Sequence, residues 1–151
     1  MTIDPLITLA QSICRTAHAG QVDKNGEEYW KHPFAVADRV EDAAADLGAP
    51  AELIPFARQA AYLHDVVEDT PYMLDDLRAA GFSEDVVSAV DSVTHRQGET
   101  YEEFVLRAKA DPVGRVVKLA DLRHNADPVR SAPLGGPNPK YLRAIELLLE
   151  K

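Results

Sequence analysis

Helix starts and stops recur along this chain, while alternating β-branched runs of the strand type are almost absent. Asp4-Pro5 has the form of an N-cap followed by the first helical residue, where proline's missing N–H costs nothing, and that helix should end near Gly20. His32-Pro33 introduces another to about Gly48, and Pro50 precedes a third from Ala51 to about Asp69. Thr70-Pro71 starts a short helix stopped by Gly81, and Ser83 caps the next through about Thr94. Thr100-Tyr101-Glu102-Glu103 fits a capping box, Asp111-Pro112 opens a helix to about Asn125, and a last helix runs from about Pro139 to Glu150. The expectation is an all-α single domain over residues 1–151, a bundle of about eight helices. Two stretches interrupt it. Gly20 to Lys31 is a charged loop leading to His32, and Asp127 to Pro139, with four prolines and two glycines, is expected to be an irregular flap or linker.

A chain of 151 residues can bury a substantial core without staples, and its one cysteine, Cys14, is expected to pack as a small core residue. No apolar run approaches the roughly 18 residues that span a bilayer, and the N-terminus lacks a basic segment followed by an apolar one, so the expected location is cytoplasmic with no membrane partner. A net charge of −9 opposes nucleic-acid binding. It does not oppose a small phosphorylated ligand, because a few cations and a metal can reverse the field within one pocket. Oligomeric state is not readable.

The run His64-Asp65-Val66-Val67-Glu68-Asp69 sets an imidazole and three carboxylates in six residues of an otherwise apolar helix. Burying that charge is costly unless a cation neutralises it. On a continuous helix His64 would stack over Glu68 and Asp65 over Asp69, forming two acidic stripes. Four residues from three separate segments are the candidates to complete one metal site: His32, His64, Asp65 and Asp121. Two imidazoles with two carboxylates suit Mn, Fe, Co or Zn better than Ca or Mg. Glu68 and Asp69 lie one turn beyond the metal pair, where a carboxylate can exchange a proton with a bound water or a leaving group. Asn125, one turn after Asp121, can orient water or a phosphate oxygen, or simply end its helix. Lys118 can support the ligand carboxylates or contact substrate.

The segments Ala17-His18-Ala19-Gly20-Gln21, Tyr29-Trp30-Lys31-His32-Pro33, His64 to Thr70 and Lys118-Leu119-Ala120-Asp121 with Asn125 resemble, in order, the hydrolase domain of RelA/SpoT-type proteins. They are similar especially to the small free-standing alarmone hydrolases of the HD superfamily. The resemblance implies an HD-type bundle with one metal, usually manganese, on His32, His64, Asp65 and Asp121. It matches Glu68 and Asp69 to the catalytic acidic pair and Asn125 to the active-site asparagine. The implied reaction removes the 3′-pyrophosphate of (p)ppGpp. A second metal is not expected, since dinuclear relatives need two further histidines before the last aspartate and only His95 stands there.

Lys24 matches a family lysine that approaches phosphate; Arg96, Lys140 and Arg143 are weaker candidates for substrate contact, and Tyr141 can pack on a nucleotide or on the core. Where the family has an arginine beside the base, before that lysine, this chain has Asp23. Glu28 and Trp30 also replace the more usual proline and isoleucine of that loop. Two other readings therefore stay open, an HD-type nucleotidase or phosphatase of another nucleotide, and a nucleotide sensor without turnover.

Overall fold

Side-chain oxygens turn back onto the free N–H groups of the helices they precede: Asp4 accepts from Leu6, Asp111 from Val113 and Gly114, and Asn138 from Lys140, at 2.8–3.0 Å. Thr100 and Glu103 close a reciprocal capping box. The structure is a computed structural model describing residues 4–151. Eleven α-helical stretches are present among the described residues: α1 Pro5–Ala17, α2 Lys31–Asp38, α3 Val40–Leu47, α4 Ile54–Leu63, α5 Val66–Asp69, α6 Leu74–Ala79, α7 Glu84–Ser92, α8 Tyr101–Ala110, α9 Pro112–Asn125, α10 Pro128–Ser131 and α11 Pro139–Leu149. No strand is assigned among them; Val22 and Glu28 form an isolated antiparallel bridge.

α4 and α9 form the centre. α4 packs on α1, α2, α7 and α9, and α9 packs further on α3, α8 and α11. Ala57, Ala60 and Ala61 keep α4 slim enough for neighbours on several sides, and Leu63, Leu119, Leu122 and Leu148 fill the interior. Cys14 is buried, and burial foremost pushes its thiol up to about 12, so it is an unreactive packing group.

The expected helices are more broken than their punctuation suggests. The helix after His32-Pro33 splits at Arg39, whose N–H bonds to Val36 rather than one residue further back. The expected helix from Ala51 to Asp69 begins as a 3-10 turn, Ala51–Leu53, and breaks at His64 and Asp65. In a continued helix Asp65 N–H would take the Ala61 carbonyl; that carbonyl instead accepts from His64 Nδ1 at 2.6 Å. The two superposed stripes are therefore lost, and α5 carries Glu68 and Asp69 outward on its own single turn. α6 starts at Leu74 rather than at Pro71, because the Thr70 hydroxyl bonds back to Val66 and accepts from Tyr72 N–H. The stretch Asp127 to Pro139 is not wholly irregular: Asp127 caps α10, and a 3-10 turn Ala132–Leu134 follows.

Gly114 marks the closest approach of α9 to α7. A Cβ there would overlap Ser92 Oγ, itself buried and bonded to Ala89 C=O at 2.7 Å. Gly114→Ala should therefore destabilise the fold by about 1–3 kcal/mol despite the better helix propensity of alanine. Urea unfolding checks this, and an equal or higher midpoint would refute the close approach.

Candidate metal centre and its cleft

Three elements bring four candidate donors together: atoms of His32, His64 and Asp65 lie within 4.8 Å of one another, and Asp121 stands beside both imidazoles. α2 carries His32, the break after α4 carries His64 and Asp65, and α9 carries Asp121. Asp121 Oδ1 lies 2.9 Å from His32 Nε2 and 3.4 Å from His64 Nε2, while Asp65 Oδ2 lies 3.0 Å from His64 Nε2 and 4.0 Å from His32 Nε2. Donors held by one transition-metal ion at about 2.1 Å stand about 3.0–3.4 Å apart in tetrahedral or octahedral arrangement, so most of these separations are those of a coordination shell.

The donor chemistry fits a cation as well as the distances do. His64 Nδ1 donates to Ala61 C=O, which turns the other ring nitrogen, Nε2, toward the carboxylates; Nε2 is buried, 3.0 Å from Asp65 Oδ2, yet makes no well-aligned hydrogen bond among the described residues. Burial opposes a charge on that ring, but Asp65 and then Asp121 overrule it and hold its pKa well above the usual imidazole value. A pocket that draws a proton so strongly favours positive charge, and a divalent ion supplies it.

Neighbouring side chains fix the donors. Tyr29 O–H donates to Asp65 Oδ2 at 2.6 Å, Lys118 Nζ to Asp121 Oδ2 at 3.2 Å and Asn125 Nδ2 to Asp121 Oδ1 at 3.2 Å. Lys118 also sits 4.3 Å over the Phe104 ring, which holds the cation in place within the interior. His32 Nδ1 lies 2.6 Å from His124 Nδ1, and the rings stack at 4.9 Å. Burial first, then the His32 ring and the Arg130 guanidinium, push His124 down to about 3, so it stays neutral and can accept the His32 Nδ1 proton. That tautomer directs His32 Nε2 at the metal point. His124→Phe, which keeps the stack and removes the acceptor, should weaken metal binding about 10–100-fold by titration calorimetry; unchanged affinity would remove His124 from this role.

Glu68 lines the cleft beside the donors, and Asp69 lies with it close to Asp65. Glu68 Oε1 accepts from His95 N–H at 2.7 Å, and the loop bearing His95 is tied down by Arg107, which bonds Asp91 C=O, Thr94 C=O and both Glu99 oxygens. Asp69 is pushed up to about 6 by burial of its carboxyl and then by Asp65 and Glu68. Its folded pKa exceeds the unfolded one, so the metal-free fold loses stability as pH rises from about 4 to about 6 and stays penalised above. In metal-free protein, Asp69→Asn should raise Tm by a few degrees at pH 7.5 and leave it unchanged at pH 3.5. An unchanged Tm at both values would contradict it.

The donors open into a cleft of about 390 Å3 lined by Glu68, Tyr101, Lys118, Asn125, Lys140 and Tyr141, among others. Lys140 Nζ lies over the Tyr101 ring at 4.8 Å and the Tyr141 ring at 5.5 Å, which brings a cation to its edge. Lys24 lines an adjoining cavity that shares Tyr29, Asn125 and Tyr141 with the cleft. Two of the sequence candidates are not brought in. Arg96 is bound to Asp91 on the surface, and Arg143 pairs with Glu146 and Glu150. Tyr29 and His124 were not anticipated in their supporting roles. Their spacing carried the signal: each stands three residues from a ligand, Tyr29 before His32 and His124 after Asp121.

Comparison with known proteins gives the same picture. The model of the HD domain family matches residues 10–130. The GTP pyrophosphokinase of Streptomyces coelicolor is 37% identical over 133 residues, covering 82% of this chain and 15% of that protein. The guanosine-3′,5′-bis(diphosphate) 3′-pyrophosphohydrolase of Haemophilus influenzae is 37% identical over 123 residues, covering 75% of this chain and 17% of its own length. The bifunctional (p)ppGpp synthase/hydrolase SpoT of Escherichia coli is 31% identical over 127 residues, 77% of this chain and 17% of that protein. The chain thus spans less than a fifth of the length of these relatives. A solved structure described as a metazoan ortholog of SpoT that hydrolyses ppGpp superposes with a TM-score of 0.73 at 21% identity, covering 99% of this chain and 88% of that one, and so shares its fold. No helix among the described residues is long and apolar enough to cross a membrane.

Proposed function

The chain belongs to the HD domain family, and from that premise we propose that it is a metal-dependent phosphohydrolase that removes the 3′-diphosphate of a guanosine nucleotide, (p)ppGpp, as pyrophosphate. The observation that carries the reading is the partnerless, buried His64 Nε2 facing Asp65 and Asp121, with His32 completing the donor set. The substrate follows from the relatives named for this hydrolysis and from the cations at the cleft, Lys140 at its edge and Lys24 beyond it. Hydrolysis is preferred to the pyrophosphokinase reaction because the aligned part of this chain is the HD domain.

His32, His64, Asp65 and Asp121 would hold one divalent ion, with manganese as the proposed metal. Such an ion supplies an acidified water and polarises a phosphoryl oxygen. Glu68, fixed by His95 N–H, accepts the proton of the attacking water at its free carboxylate oxygen. Asp69, whose carboxyl is held above the usual carboxylate range in the metal-free protein by burial and by Asp65 and Glu68, is the proposed donor of a proton to the departing 3′ oxygen as the bond from phosphorus to that oxygen breaks. Asn125 orients the reacting phosphoryl group, and Lys140 offsets the charge of the diphosphate.

Incubation of the protein with Mn2+ and ppGpp, with separation of products, tests this reading. Pyrophosphate and GDP in equal amounts are expected. Orthophosphate would favour a nucleotidase or phosphatase, and binding without any product would favour a sensor.

A further inference from the structure

Asp23 puts an anion at the edge of a cavity meant for a phosphorylated ligand, and the structure shows what neutralises it. Asp23 Oδ1 accepts from Asn25 N–H at 2.8 Å and Glu27 N–H at 3.0 Å, closing the turn that Gly26 allows with its positive φ. Its Oδ2 accepts from Arg130 Nη1 at 3.1 Å, and the two side chains are 8% and 22% exposed. From the same loop, Asn25 Nδ2 donates to the Arg130 carbonyl at 2.9 Å. Residues 107 apart in sequence are thus bound as one unit. α10 is held from its other end, where Asp127 caps it and pairs with Arg39 at 3.2 Å.

Among the described residues Asp23 is the only hydrogen-bond partner of the Arg130 guanidinium, and Arg130 lines the cavity beside it, so its other N–H groups are available to a ligand there. The cavity beside it, about 280 Å3, is also lined by Lys24, Val22, Leu134 and Tyr141. The lining therefore combines a planar, hydrogen-bonding guanidinium with apolar and aromatic side chains. A purine has the same combination, a flat face with a hydrogen-bonding edge. A phosphate is the poorer match for Arg130. Asp23 cancels much of its charge, while the planarity and donor fork that distinguish arginine from lysine survive the pairing. For phosphates there are Lys24 and Lys140, which make no ion pair among the described residues and line the two adjoining cavities that share Tyr141.

We infer that Arg130, positioned by Asp23, determines specificity by receiving the purine base of the substrate in this cavity while the 3′-diphosphate lies in the metal cleft; this rests on the nucleotide reading above. Arg130 takes the base through its plane and free N–H edge, and Asp23 acts only through Arg130.

The test is binding of GDP and, separately, of inorganic pyrophosphate to the Mn2+-loaded protein by titration calorimetry, with ppGpp turnover measured alongside. Arg130→Ala should weaken GDP about tenfold, Arg130→Lys should not restore it, and Asp23→Asn should weaken it about three- to fivefold, all with pyrophosphate affinity within about twofold of the wild type. Full restoration by lysine, parallel loss of pyrophosphate binding, unchanged GDP affinity in Arg130→Ala or no GDP binding by the wild type would each overturn the inference. The expected GDP pattern without ppGpp turnover would leave Arg130 in place and sink the proposed reaction. Turnover with GDP affinity indifferent to Arg130 would sink this inference alone.

Discussion

Asp65→Asn is expected to remove hydrolysis almost completely, by about a thousandfold or more, and to abolish tight metal binding. The substitution keeps the volume and still offers Tyr29 O–H an acceptor, so the local packing is spared. What it removes is one of two negative charges in a pocket where a divalent ion must be held and where His64 Nε2 has no other partner. The metal-free protein should be somewhat less stable than the wild type at neutral pH, since Asp65, held down to about 2, is the carboxylate paired with the protonated His64 ring. Circular dichroism establishes the fold, titration with Mn2+ the binding, and product release the rate. A folded Asp65→Asn protein with wild-type turnover would remove Asp65 from the metal site.

Glu68→Gln is expected to behave differently, and the difference is informative. Glutamine retains an oxygen for His95 N–H, so the side chain stays in place, and Mn2+ affinity should change by less than about threefold because the four donor atoms are untouched. Loss of a general base typically costs about 10^2–10^4 in rate, and here the cost should fall on kcat with KM little altered. Stopped turnover with intact metal and substrate binding therefore assigns Glu68 to proton transfer. A variant that lost rate only by losing metal would make Glu68 a ligand, and one with unchanged kcat would make it structural.

The contrast between these two variants follows from a feature only partly legible in the sequence. The concentration of charge from His64 to Asp69 could be read directly, as could the distant candidates His32 and Asp121, which the fold brings beside it. The division of that run into buried donors and exposed carboxylates could not, because it depends on His64 Nδ1 taking the Ala61 carbonyl and breaking the helix. A continuous helix is the expectation from periodicity alone, and a side-chain hydrogen bond overrides it. Capping residues such as Asp4, Thr100 and Asp111 act within three positions of themselves, which is why their helices begin where the sequence places them.

Longer-range pairings escaped for the converse reason. Nothing local to Asp23 announces Arg130, and nothing local to Arg96 shows that Asp91, five residues earlier, occupies it. A cation near a suspected site is an ambiguous signal until its partners are known: Arg96 and Arg143 are paired with carboxylates outside the cleft, while Lys24 and Lys140 line the two adjoining cavities. The short α10 was hidden by its prolines, although Asp127-Pro128 has the same cap form as Asp111-Pro112.

The central claim is that one divalent ion on His32, His64, Asp65 and Asp121 supports the reaction, and the most direct measurement is the number of Mn2+ ions bound per chain against the rate of ppGpp hydrolysis as chelator-stripped protein is refilled. The account predicts saturation at one ion, with rate rising in proportion to occupancy from a metal-free value near zero. Saturation of the rate at two ions, or undiminished hydrolysis by the stripped protein, would contradict it.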